Sequence, residues 1–510
     1  MKLNLNYIAA GVILIISLFF FSTVFSTDIV FGDEGYYSST AMWIAQNHVL
    51  PKYVPMFQTE IYHEQFISKP LFILSESFFY LIGGEAGMKF LIPLFSILTA
   101  FMIYIFLKRY EKPKAGIVGA LLFMLVPSLI THGVLSYVDT LLLLVSTCAI
   151  YFGMKSFEEN NKQYAIVAGI FAGLSVLSKV SGIFVMIFFI LYFLYFKKYN
   201  KWKLFVTIII IAIIMVAPWY LIRNPIITGN ICYGPLNNGC GPVSDISIPT
   251  NNDLEYVGRT AAGGTEANLL DFGLLNYFNF AYGFAFTVIF LFSIAFIGVR
   301  KKIIDKELIL WLISIIPLLY FSTWRAEDTA RYLLPLVVPM AIISGIFISN
   351  AHEKIKKYNS MIAIFFIIIL IASASYYGYE KITIMKQVKQ FSPGFFDACD
   401  WVKENTPQDS IILTKFASRV AYQCDRKIGY IPHGPTVFLA YNDSSYEHMK
   451  LHGIDYVYII EGLISNQELA EYYPYRFVQY IESSPHFKLV YDNRNVYGVN
   501  GVRIYEVLYD

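Results

Sequence analysis

Long apolar runs separated by short polar connectors dominate the first three quarters of the chain. Runs near 7–26, 88–107, 115–131, 137–154, 164–178, 181–196, 204–222, 277–299, 308–323, 332–349 and 360–378 each approach the length of a membrane-crossing helix. A hydrocarbon core of roughly 30 Å takes about 20 residues of helix, fewer where flanking side chains snorkel. The pattern predicts about eleven transmembrane helices. The first run, preceded by Lys2 and followed by Phe-Ser-Thr near position 26, also has the outline of a cleavable leader; with ten later spans that need none, it is read as a span. Leu71–Leu81 is apolar but too short to cross, and is expected to lie flat at the interface.

After position 380 the pattern changes. Ile411-Ile412-Leu413 and Tyr456-Val457-Tyr458-Ile459-Ile460 read as strands, Phe395–Asn405 as a helix, and Leu489-Val490-Tyr491 with Val502–Leu508 as a strand pair around an Asn-Arg-Asn turn. Helix alternating with strand predicts a small α/β domain over 380–510, attached to a membrane domain over 1–379. The fold class expected is therefore a polytopic α-helical membrane protein with a C-terminal extracytoplasmic α/β domain.

Composition sharpens this picture. Of 510 residues, 56% are hydrophobic and 15% charged, against about a quarter charged in soluble domains; mean hydropathy is +0.53. The net charge of +2 supplies no basic field for nucleic acid. Aromatics at 17% suit a chain that meets lipid tails and headgroups. Every second connector is short and basic: Lys108, Arg109, Lys112 and Lys114; Lys155 and Lys162; Lys197, Lys198, Lys201 and Lys203; Arg300, Lys301, Lys302 and Lys306; Lys354, Lys356 and Lys357. Those connectors are expected in the cytoplasm, with the amino terminus. Loops 27–87 and 223–276 and the tail then lie outside, in a multi-pass protein of the cell membrane. The pairs Cys232/Cys240 and Cys399/Cys424 both fall outside, where two disulfides or free thiols are equally open readings, and Cys148 sits alone in a span.

Chemistry-bearing residues gather on the outer side. Asp33-Glu34, within Phe-Gly-Asp-Glu-Gly-Tyr-Tyr, follows the first span and could act as base or ligand on a membrane-embedded substrate; the plainer alternative is a solvated turn with Asp33 capping the next helix. Lys69-Pro70-Leu71, Asp139, Lys179, Arg223 after Pro218-Trp219-Tyr220, and Arg325, Glu327, Asp328 and Arg331 share that side. Charges at membrane depth are costly and tend to be paired or functional. Singly, each could be a snorkelling helix-end charge; together they suit an anion site, where Lys and Arg hold a phosphate. Tyr62-His63-Glu64 lacks metal-ligand spacing, and no Walker loop, dinucleotide fingerprint or His-Glu-x-x-His occurs.

This arrangement resembles the GT-C glycosyltransferases, in particular the protein-O-mannosyltransferase and aminoarabinose-transferase branch (families 39 and 83) of prokaryotes and archaea. The resemblance rests on Asp33-Glu34, Lys69-Pro70-Leu71, Asp139, Lys179 in Leu-Ser-Lys-Val-Ser-Gly, Pro218-Trp219-Tyr220 and Arg331-Tyr332-Leu333-Leu334-Pro335, over roughly 7–345. It departs where the family often has two prolines after the lysine, since Leu71 follows Pro70; the tail does not resemble a β-trefoil, and no Trp-Trp-Asp-Tyr-Gly segment appears. The resemblance implies a polyprenyl- or dolichyl-phosphate sugar donor and inverting transfer to a hydroxyl of a protein, glycan or lipid. Asp33 would be the general base with Glu34 beside it, and Lys69, Lys179, Arg223 and Arg331 the donor-phosphate cations. Asp139, Tyr36, His63 and Arg325 would serve the acceptor or support the others. No cofactor or metal is expected, with a divalent cation left as an open alternative. A transporter of a lipid-linked or anionic substrate and a non-catalytic surface-polymer receptor are the rival readings.

Overall fold

The computed structural model describes residues 5–29, 32–52, 54–56, 66, 69–110, 112–228, 284–300, 302–322, 334–359, 376, 379–380, 383, 392–414, 417–430, 443–461 and 475–509. Among the described residues, the regular structure of its amino-terminal part is all helical: α1 (Leu5–Phe25), α2 (Gly32–Asn47), α3 (Pro70–Arg109), α4 (Pro113–Leu125), α5 (Pro127–His132), α6 (Val138–Glu159), α7 (Lys162–Ser178), α8 (Phe184–Tyr195), α9 (Trp202–Ala217), α10 (Asn224–Thr228), α11 (Phe284–Arg300), α12 (Ile303–Ser322) and α13 (Val337–Tyr358). Among the described residues, four helical stretches are long and apolar enough to cross a membrane: Pro70–Arg109, Val138–Glu159, Tyr199–Ile227 and Leu334–Tyr358. Shorter apolar helices fill the positions of most other expected spans. The expected span 360–378 lies almost wholly outside the described residues.

Two expected boundaries shift for local reasons. The run 115–131 is not one helix, because Pro127 lacks the donor that would continue α4 and Val126 turns extended before it. The apolar run from Leu71 joins the next span in α3, but Gly83 and Gly84 leave helical geometry, and Gly84 takes φ +58°, which a side chain would resist. The segment before this break is thus a separate short helix in direction. It exposes Leu74, Phe78, Leu81 and Ile82 and buries Phe72, Ile73, Glu76 and Ser77.

The C-terminal part runs α14 (Pro393–Asn405), β1 (Ile411–Thr414), α15 (Ala417–Cys424), β2 (Lys427–Tyr430), α16 (Asp443–Leu451), β3 (Tyr456–Ile460), α17 (Tyr475–Ser483), β4 (Phe487–Asp492), α18 (Arg494–Tyr497) and β5 (Val502–Val507). The expected Asn-Arg-Asn turn becomes the short helix α18. The sheet order is β2-β1-β3-β5-β4, with β1 parallel to β2 and β3, and β5 antiparallel to β3 and β4. Strand alternation sends Ile412 and Tyr458 into one core with Phe395, Cys399, Val402, Val420 and Cys424. Leu413, Val457 and Ile459 face the other with Tyr446, Met449, Phe477 and Ile481. The buried Arg426 guanidinium closes the end of α14, donating to the carbonyls of Lys403 and Thr406, both at 2.9 Å. Cys399 and Cys424 form a disulfide that ties α14 to α15 across 25 residues; Cys148 is free and buried, and Cys232 and Cys240 lie outside the described residues.

This sheet is joined to the first loop. Val54 and Met56 are buried in the α14–α15 core, and Ile428 N–H donates to the Met56 carbonyl at 2.9 Å. α15 packs on α2 so closely that a Cβ at Gly35 would stand 2.4 Å from the Ser418 carbonyl oxygen. Tyr422 from α15 is buried with Tyr37, Phe66 and Phe72 in one apolar cluster. Burial holds its phenol well above the usual range, so it stays a neutral donor to Glu85 beside the α3 break.

Replacing Cys399 and Cys424 by serine should lower the stability of the C-terminal sheet by about 2–4 kcal/mol, read as faster hydrogen exchange in β1 and β3; unchanged exchange would contradict the tie. Gly35→Ala must push backbone against backbone and should cost about 1–3 kcal/mol. Limited proteolysis around 417–424 would then quicken, and an unaltered digestion rate would rule the contact out.

Candidate functional site

The first turn of α2 carries Asp33 and Glu34. Helix begins at Gly32, so Asp33 is not a cap but a first-turn residue, where unsatisfied N–H groups favour carboxylates. Four residues on, Tyr37 lies on the same face and its hydroxyl donates to Asp33 Oδ2 at 3.4 Å. Lys69 Nζ donates in turn to the Tyr37 hydroxyl and stands 4.7 Å from the centre of that ring. A cation, a phenol and a carboxylate are thus in series, from two segments 36 residues apart in sequence. Asp33 and Lys69 are half-buried.

Lys69 holds an unusual backbone. Its φ of 59° and ψ of 38° are left-handed, in a non-glycine residue immediately before proline, where α-type geometry is doubly disfavoured. Such strain costs on the order of 1–3 kcal/mol and collects at functional positions. It turns the chain sharply into α3 and brings the lysine back over α2.

Glu34 points the other way and is fully buried. Its Oε1 accepts the Ser136 N–H at 2.7 Å. Ser136 begins the turn into α6, whose first turn bears Asp139. Asp139, also buried, pairs with Lys179 at 2.7 Å; Lys179 ends α7 in extended geometry. Asp139 and Lys179 therefore neutralise each other at the mouth of the α6–α7 pair, next along the chain from Ser136.

Arg223 instead meets the loop before Lys69. It closes a π-helical turn, Pro218–Arg223, that continues α9, stacks 4.1 Å over Trp219, and donates to the carbonyls of Phe66 at 2.6 Å and Pro51 at 2.7 Å. Its described hydrogen bonds thus fasten the loop that leads to Lys69, a task its expected place among phosphate cations did not anticipate. Tyr36 is half-buried, edge-on to Tyr37 at 5.6 Å, and packs toward the C-terminal core. His63, Arg325, Glu327, Asp328 and Arg331 lie outside the described residues. Among the described residues, no three His, Cys, Asp or Glu side chains group as metal ligands would.

Tyr37 and Ser136 do not stand out in the sequence pattern, nor does the buried Glu76 of α3, whose Oε1 accepts the Ser136 hydroxyl. Tyr37 had a signal, its i+4 spacing from Asp33, once α2 is recognised as a helix. Ser136 and Glu76 had none, since each meets its partners across tertiary contacts.

A family model described as dolichyl-phosphate-mannose-protein mannosyltransferase matches residues 70–222. No curated protein matches the chain in sequence. Among solved structures, the archaeal oligosaccharyltransferase AglB from Archaeoglobus fulgidus, in complex with an inhibitory peptide and a dolichol-phosphate, is similar at 13% identity over 95% of this chain and 73% of that one, with a TM-score of 0.65. ArnT from Cupriavidus metallidurans, bound to undecaprenyl phosphate, is similar at 10% identity over 98% of this chain and 97% of that one, with a TM-score of 0.63. The arabinofuranosyltransferase AftD from Mycobacteria shares 13% identity over 98% of this chain and 40% of that one, with a TM-score of 0.56. At such identities the likeness is one of fold, and it extends from the membrane helices through the C-terminal sheet. The chain has the fold of the GT-C glycosyltransferases.

Proposed function

We propose that this protein is a membrane glycosyltransferase that moves a sugar from a polyprenyl- or dolichyl-phosphate donor to a hydroxyl acceptor on the extracytoplasmic face. The observation that carries the reading is the series Lys69–Tyr37–Asp33 at the head of α2. A lysine and a carboxylate held one phenol apart suit a reaction in which one end gains negative charge as the other takes a proton. The fold supports it, since AglB and ArnT with this fold were solved with lipid phosphates bound.

In this reading the acceptor oxygen attacks the anomeric carbon, Asp33 takes the acceptor proton, and the bond from that carbon to the phosphate oxygen breaks. The anomeric centre inverts and the lipid phosphate leaves as an anion. Lys69 meets the growing charge from a position already fixed, so no reorganisation is needed at the moment of reaction. Lys179 is already paired with Asp139 and so adds little net charge, Arg223 acts through the loop backbone, and the family resemblance would give Arg331 a share in holding the phosphate. Apolar spans, eleven in the full arrangement, offer the lipid tail a groove, and the C-terminal domain covers the site from outside. Tyr36, His63 and Arg325 would shape the acceptor side, while the buried Glu34 and Asp139 act only by positioning their neighbours.

Sugar transfer in proteoliposomes, with radiolabelled polyprenyl-phosphate sugars and cell-surface extract, tests this. Asp33→Asn should lower the rate by about 10²–10⁴ while donor binding persists. Lys69→Met should weaken donor binding, since a charge-assisted hydrogen bond contributes about 1.5–3 kcal/mol. Transfer by Asp33→Asn at the wild-type rate would remove Asp33 as the base, and donor binding without any transfer by wild type would favour a transporter or receptor.

A further inference from the structure

Glu76 is a carboxyl side chain with no exposed surface, on the short apolar helix that opens α3, seven residues after Lys69. Its Oε1 accepts hydrogen bonds from the Ser136 hydroxyl and, at 3.5 Å, from the Ser38 hydroxyl. Its Oε2 has no hydrogen-bond partner among the described residues. Burying such a group with one oxygen unsatisfied costs several kcal/mol, and a leucine would fill the space without that cost. Helix packing alone does not account for it.

The contacts show what the carboxyl group achieves. Ser136 bridges two acids with two different groups: its N–H donates to Glu34 and its hydroxyl to Glu76. Ser38 lies one turn beyond Glu34 on α2 and donates to the same Glu76 oxygen. Glu76 is therefore the point at which α2, the turn into α6 and the head of α3 meet. These three segments carry Asp33, Asp139 and Lys69.

Rotation of the short helix explains the need for a polar pin. One side exposes Leu74, Phe78, Leu81 and Ile82, and the other buries Phe72 and Ile73. Both sides are apolar, and beside lipid an apolar side chain has little preference between tails and protein. Burial of apolar surface consequently fixes the rotation weakly, whereas a hydrogen bond to a carboxyl oxygen fixes it in one register. Because Lys69 directly precedes this helix, its register decides where the lysine points.

We propose that Glu76 is a positioning residue of the transferase site, which holds Lys69 and Asp33 at their working separation through Ser136 and Ser38 without touching donor or acceptor. The inference rests on the functional reading given above for its kinetic consequence, but not for its structural one. Misplacement by about 1 Å can cost on the order of 10²-fold in rate.

The test compares Glu76→Leu, Glu76→Gln and Ser136→Ala with wild type in proteoliposomes, following kcat, donor KM and hydrogen exchange of peptides spanning 32–40 and 70–82. Glu76→Leu should lower kcat at least tenfold, with a smaller change in donor KM, and should speed exchange in both peptides. Glu76→Gln keeps an oxygen that accepts from both serines, and should recover most of the rate and the protection. Ser136→Ala keeps the backbone bond to Glu34 and should fall between them; it carries the comparison if Glu76→Leu does not fold. Unchanged exchange in Glu76→Leu, or a Glu76→Gln variant as impaired as Glu76→Leu, would overturn the inference. A wild type that transfers no sugar would sink the functional reading instead, and the exchange data would still decide on Glu76.

Discussion

The hydrogen bond from Ser136 N–H to the buried Glu34 carboxylate is the contact on which the arrangement of the site depends. It joins the first turn of α2 to the turn into α6 across about a hundred residues of chain. A buried carboxyl group without donors is costly, so this bond favours one placement and rotation of α2 among its neighbours. Asp33, the adjacent residue, is then directed away from Ser136, toward Tyr37 and Lys69. One residue of an acidic pair anchors, and on the proposed function its neighbour is the base.

The second constraint comes from outside the helical part. α15 lies against α2 at Gly35, where backbone meets backbone, and β2 bonds to the loop at Met56. The loop between α2 and α3 is therefore held from two directions: by Arg223 at the Pro51 and Phe66 carbonyls, and by the C-terminal sheet at Met56. Lys69, at the loop's end, sits in a strained left-handed conformation that a loop free at both ends would relax. Strain of this kind persists because the surroundings over-determine it. The Cys399–Cys424 bond stiffens the docked helix itself.

Much of this was legible in the chain. Apolar runs mark the helices because backbone groups in lipid must bond within their own segment. Unbroken apolar runs mark β1 and β3 because each strand is packed on both faces. Asp33, Lys69, Asp139 and Lys179 stood out because charge beside lipid is rare. Their grouping did not stand out. Lys179 and Asp139 form a pair of their own, and Arg223 meets loop carbonyls, outcomes that depend on which helices are neighbours. The helix break at Gly83–Gly84 and the strands and helices between β1 and β5 were partly missed, since short elements carry little periodic signal.

The sequence by itself determined the helical membrane character, the alternation of strand and helix after position 380, and the residue types from which a transfer site could be made. These follow from local properties: hydrophobicity, period and charge, each summed over neighbours in the chain. The tertiary structure decided that Tyr37 links Lys69 to Asp33 and that Ser136 ties Glu34 to Glu76. It also decided that α15 closes on Gly35. Each of these joins groups far apart in sequence, by contacts of a few ångströms. A hydrogen bond depends on distance and direction in space, and a one-dimensional pattern carries neither until the helices have packed.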